Sequence, residues 1–107
     1  MIIIEFPSFT RAITTLLSED EYAELQWTLV RYPDIGDIIP GCKGLRKMRW
    51  RLKNKGKRGG IRVIYYWVTA DDQILMLLAY AKNQQDDLTE VQKQILVNLV
   101  KEELENG

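Results

Sequence analysis

With 107 residues, 46% of them apolar and 28% charged, the chain has the make-up of a single soluble domain with one modest core. Fifteen Lys and Arg balance fifteen Asp and Glu, so the formal net charge is zero and any local excess of one sign is compensated elsewhere. Histidine is absent and Cys42 is the lone cysteine, which removes the commonest general acid–base and metal ligand, excludes an intramolecular disulfide and leaves no zinc pattern.

The N-terminus, MIIIEFPSF, lacks a basic leader and meets Glu5 almost at once, and no apolar run approaches the roughly 20 residues that span a bilayer. No signal peptide and no membrane partner are therefore expected, and the cytoplasm is the default location. The β-branched run Ile2, Ile3, Ile4 predicts a strand over residues 2–6, ended by Pro7. Phe9, Ile13, Leu16 and Leu17 stand at helical spacing and predict a short amphipathic helix over 8–17. Ser18 with Glu21 forms the pattern of a capping box. Behind it Tyr22, Leu25, Leu29 and Val30 supply an apolar stripe, and Pro33 stops that second helix near Arg31. PDIGDIIPGCKG, punctuated by proline and glycine, reads as a loop, with Cys42 a small, partly buried filler.

Three strands follow. Residues 45–52 alternate, with Met48, Trp50 and Leu52 on one face and Lys47, Arg49 and Arg51 on the other. KNKGKRGG is too polar and too rich in glycine for regular structure, and a mobile basic hairpin loop is expected over Lys53–Gly60. IRVIYYWV, residues 61–68, is apolar on both faces apart from Arg62, the mark of a central strand; ILMLLAYA, residues 74–81, is a second two-faced strand beyond the turn Thr69–Asp72. Asp87 is placed to cap a final helix from Leu88, with Glu90 at its third position and Val91, Ile95, Leu99 and Val100 as its buried stripe. The expected architecture is α+β, in the order β-α-α-β-β-β-α. It is one domain over residues 1–107, with a mostly antiparallel sheet and helices mainly on one face. An open second face then gathers Lys47, Arg49 and Arg51 into a shallow groove beside Arg62.

The stretch from Gly44 to Val68 holds Lys47, Arg49, Arg51, Lys53, Lys55, Lys57, Arg58 and Arg62 without a carboxylate; Asp37 is the last acid before it and Asp71 the first after it. A field of this kind favours a polyanion, and interspersed aromatic residues add stacking surface. A solvated hairpin whose polar face happens to be basic is the plainer alternative. Trp50, Tyr65 and Trp67 read as core; Tyr66, four residues from Arg62, and Tyr80, on one face with Lys82, are better placed for a site.

GLRKMRWRLKNKGKRGGIRVIYYW resembles the RelE/HigB superfamily of bacterial toxins, with its leucine–arginine opening, alternating basic residues, basic glycine loop and Arg-x-x-Tyr-Tyr strand. LLAYAKNQQDDLTEVQKQIL extends the likeness to essentially the whole chain, and within the superfamily the HigB-type members are the most similar. The resemblance implies the toxin of a type II toxin–antitoxin module. Such toxins are ribosome-dependent endoribonucleases that cut mRNA in the A site by attack of a 2′-hydroxyl, with no metal and no cofactor. Their partners are the ribosome with its mRNA and a cognate antitoxin, HigA-like and helix-turn-helix here, with operator DNA reached only through the antitoxin. Lys47 and Arg49 stand at the family's alternating basic positions, Arg62 at the arginine that begins the Arg-x-x-Tyr segment, and Lys82 at the basic end of the last strand. Asn83 stands where some relatives have a further arginine, and Leu88 and Thr89 where some carry a tyrosine.

These residue types suit the chemistry. Arg62 keeps its charge and can hold two phosphate oxygens. Crowding by Arg49, Arg58 and Arg62 favours proton loss from a lysine, making Lys47, Lys57 or Lys82 the candidate base. Arg51, Lys53, Lys55, Arg58, Tyr66 and Tyr80 are the candidate nucleic-acid contacts. A non-catalytic nucleic-acid- or partner-binding relative of the same fold is the alternative, supported by the missing histidine, the missing late tyrosine and the neutral net charge.

Overall fold

The computed structural model describes residues 1–52 and 60–106. In chain order the elements are β1 (Ile2–Glu5), α1 (Pro7–Leu16), α2 (Glu19–Arg31), β2 (Asp37–Ile38), β3 (Arg46–Trp50), β4 (Ile61–Val68), β5 (Gln73–Ala81) and α3 (Glu90–Asn106). Local chemistry sets most of these limits. Pro7 occupies the start of α1, where a missing N–H is harmless and a fixed φ is useful. Ser18 accepts the Glu21 N–H at 3.2 Å while the Glu21 carboxylate accepts the Ser18 N–H at 2.9 Å. That is the predicted capping box, a device that contributes about 1 kcal/mol.

The strands form one sheet in the order β1-β5-β4-β3-β2, with β1 parallel to β5 and the other pairs antiparallel. The central position of β4 matches its two-faced apolar sequence, and its observed limits coincide with the predicted 61–68. On one face Met48, Ile61, Val63, Tyr65, Ile74 and Met76 meet Phe9, Ile13 and Leu17 at α1 and Leu25 and Leu29 on α2. On the other, Leu45, Ile64, Leu75, Leu77 and Tyr80 meet Leu88, Leu96 and Val100, so α3 covers part of the face expected to stay open. The pairing of β4 with β5 carries a bulge: Tyr65 faces Met76 but Ile64 faces Leu78, leaving Leu77 as the extra residue.

Three details depart from the sequence expectations. A two-residue strand, β2, lies inside the segment read as a loop, held by pairing of Asp37 and Ile38 with Lys47 and Arg46. Both of its residues are exposed, so hydropathy carried no sign of it. The final helix begins at Glu90 rather than Leu88, and its cap is Thr89, whose Oγ accepts the Gln92 N–H at 3.1 Å while Gln92 Oε1 accepts the Thr89 N–H at 3.0 Å. Its buried residues are Leu96 and Val100, whereas Val91 and Ile95 are exposed. Of the expected stripe, Val100 is buried and Leu99 is half-buried against the cluster that holds Leu88 and Leu96, while Val91 and Ile95 face outward.

Candidate nucleic-acid interface

Strand alternation puts Met48 into the α1/α2 core, so Lys47 and Arg49 emerge on the face that carries α3. Sheet register then builds a row across three strands: Arg49 lies directly opposite Arg62, and Arg62 directly opposite Tyr80. The neighbouring row runs from Lys47 through Ile64 to Leu78. Two cations facing each other across strands oppose pairing by about 0.2–1 kcal/mol. Arg49 relieves this by extending into solvent, but Arg62 is only 8% exposed. Its Nη1 donates to the Ile61 carbonyl at 3.3 Å, and among the described residues no carboxylate forms an ion pair with it. A buried cation without an anion is costly to keep, and its planar fork is suited to a phosphate.

Lys47 is placed differently. Its ammonium lies 3.3 Å from Asp87 Oδ1, so its close neighbour is an anion rather than the crowd of cations expected from the sequence. Asp87 also accepts the Leu88 N–H at 2.8 Å. That backbone bond first, and Lys47 next, hold the carboxyl below its ordinary range against the opposing effect of burial. Tyr80 is 8% exposed, and its hydroxyl has no hydrogen-bond partner among the described residues. Burial first, then Asp87, raise the phenol above its usual value, while Arg62 pulls the other way.

Lys82 is exposed just beyond β5, and its N–H donates to the Gly60 carbonyl at 3.1 Å, which brings it to the end of the sheet where β4 begins. Arg51 is exposed just past β3. Tyr66 is half-buried further along the same face, its ring against Gly44, where φ is +102° and an added Cβ would stand 3.0 Å from the ring. Lys53, Lys55, Lys57 and Arg58, and with them most of the expected loop Lys53–Gly60, lie outside the described residues. Arg49, Arg62 and Tyr80 are thus brought together in one row, with Lys47 beside them and Lys82 at the margin. Tyr66 stands apart, at a cleft of about 690 Å³ bordered by Cys42, Leu45 and Val97.

Two relationships escaped sequence reasoning. Asp87 has the sequence signature of a helix cap, and nothing in its neighbours points to Lys47, forty residues away. Counting back from the Val68–Gln73 pair places Ala79 opposite Arg62; the extra residue Leu77 shifts the register by one and puts Tyr80 there instead. Among the described residues no group of three potential metal ligands converges, and no helix is long and apolar enough to cross a membrane.

No family model matches the chain. Its structure is similar to that of a mutant of the E. coli toxin RelE in the free state, with a TM-score of 0.53 and 15% identity over 79% of this chain and 86% of that one. Among the described residues the fold is α+β, three helices with a five-stranded and mostly antiparallel sheet, and it is RelE-like.

Proposed function

We propose that this protein is the toxin of a type II toxin–antitoxin module, a metal-independent endoribonuclease of HigB type that cuts mRNA in the ribosomal A site. The observation that carries the proposal is Arg62: a cation 8% exposed, opposite Arg49, with no carboxylate paired to it among the described residues, on a RelE-like sheet. The 2′-oxygen attacks phosphorus, the bond to the 5′-oxygen breaks, and a 2′,3′-cyclic phosphate and a 5′-hydroxyl result. The proton lost from the 2′-hydroxyl goes to a base, and one is returned to the leaving oxygen. Arg62 neutralises the charge that builds on the phosphate. Lys47, clipped to Asp87, and Arg49 hold the flanking backbone, which leaves Lys57 or Lys82 as base. Arg51, Lys53, Lys55, Arg58 and Tyr66 extend the contact along the strand. The ribosome supplies the alignment that so small a protein lacks. A cytoplasmic location and neutralisation by a HigA-like, helix-turn-helix antitoxin, through which operator DNA is reached, complete the proposal.

One observation favours the non-catalytic alternative: the Thr89 hydroxyl, where some toxins of this kind place a tyrosine, is occupied in capping α3. Induced expression separates the two. Wild type is expected to arrest growth and fragment cellular mRNA, and Arg62→Ala at equal soluble level to do neither. Arrest without mRNA fragments favours the binding reading, and equal toxicity of the two proteins contradicts the role of Arg62.

A further inference from the structure

Two buried side-chain polar atoms lack a hydrogen-bond partner among the described residues, Trp67 Nε1 and Tyr80 Oη. They differ in surroundings. Trp67 packs against the α1/α2 core, on the face away from the basic row. Tyr80 is on the basic face, directly across the β4–β5 ladder from Arg62, and the Arg62 charge acts on its hydroxyl. Both residues of this pair are more than nine-tenths buried. Among the described residues the Tyr80 hydroxyl is withdrawn from water with no acceptor, and the Arg62 cation with only the neutral Ile61 carbonyl and no carboxylate. The two deficits share one remedy, an anionic oxygen that accepts from both.

We infer that Tyr80 and Arg62 form a recessed oxyanion pocket in which the neutral phenol and the guanidinium donate together to the non-bridging oxygens of a phosphodiester. The phenol suits the task because burial and the nearby Asp86 and Asp87 favour its neutral form, so it keeps the proton with which it donates. No proton is transferred: Tyr80 supplies a bond that strengthens as charge gathers on phosphorus. Its presence there depends on the bulge at Leu77, without which the register would place Ala79 opposite Arg62. Asp86 and Asp87 discourage casual anions, and Lys47, drawing on Asp87, moderates that repulsion. This deepens the nuclease proposal and rests on it only for the identity of the anion.

Tyr80→Phe removes the hydroxyl and little else. The test follows the Arg62 side-chain N–H signal by NMR as inorganic phosphate is added, with thermal unfolding and cleavage of programmed ribosomes measured on the same samples. The variant should bind phosphate about 10- to 100-fold more weakly and cut mRNA more slowly by a similar factor, as expected for a lost hydrogen bond to a charged acceptor. Its midpoint of unfolding should stay level or rise, because an unsatisfied buried hydroxyl has been deleted. A merely structural tyrosine would lower that midpoint and leave phosphate affinity alone, and that outcome overturns the inference. So does a wild type whose Arg62 signal ignores millimolar phosphate, or a variant that binds phosphate and cuts mRNA as wild type does. Phosphate binding that depends on Tyr80 in a protein that cuts no RNA would refute the nuclease proposal and leave the pocket standing.

Discussion

Tyr65→Phe offers a test of how the sheet edge is held. Tyr65 is fully buried in the α1/α2 core, and its hydroxyl donates to the Pro33 carbonyl at 2.8 Å and accepts the Gly36 N–H at 2.8 Å. Gly36 is packed so closely that an added Cβ would stand 2.8 Å from the tyrosine ring. Deleting the oxygen strands a buried N–H, at about 1–3 kcal/mol, and a carbonyl in a part-buried bond, which costs less because water can reach it. The sum is about 2–3 kcal/mol, a substantial share of the 5–15 kcal/mol typical of a domain. Urea unfolding should show a lowered midpoint at unchanged slope. Hydrogen exchange should quicken at Gly36 and Ile38, since the 33–36 turn leads directly into β2. A loss below about 0.5 kcal/mol would refute this account of the hydroxyl.

Asp87→Asn should cost less than about 1 kcal/mol, because Asp87 is 58% exposed in the pair with Lys47. It should instead tighten RNA binding and steepen the dependence of log affinity on log salt by about 0.7, the share of one freed lysine. The Asp87 carboxyl is lowered in the native state, so its stabilising contribution is complete above the ordinary carboxylate value and is lost as pH falls through the lowered native one. As the pH is lowered from above the ordinary carboxylate value, the urea midpoint should therefore fall less in the Asn variant than in wild type. Gly44→Ala, at φ +102° and with 3.0 Å between the new Cβ and Tyr66, should destabilise by about 2 kcal/mol, read from thermal unfolding. An unshifted midpoint would count against the strain.

Burial on both faces made β4 legible in the sequence to the residue, and Ser18 with Glu21 declared α2 through side chains that act within one turn. β2 was hidden because two exposed residues carry no periodicity; only the partner strand defines them. In α3 the expected stripe holds at Leu99 and Val100, but Val91 and Ile95 are exposed and Leu96 is buried in their place, in one cluster with Leu88. Alternation along β3 gave the face of Lys47 and Arg49 correctly. What alternation cannot give is register. The Arg62–Tyr80 pairing depends on one extra residue at Leu77, and the Lys47–Asp87 bond on tertiary closure across forty residues. These contacts decide how each cation of the row is partnered, and they emerge only when the chain is folded.

The central claim is that Arg62 serves phosphate chemistry on ribosome-bound mRNA. Its most direct test compares cleavage of programmed ribosomes and of naked transcript by wild type and Arg62→Ala, with chelator present. Wild type should cut ribosome-bound mRNA far faster than free RNA, leaving 2′,3′-cyclic phosphate ends, and Arg62→Ala should lose about 3 kcal/mol of transition-state stabilisation, roughly a hundredfold or more in rate. Equal rates on the two substrates, or an Arg62→Ala protein that cuts as wild type does, would contradict it.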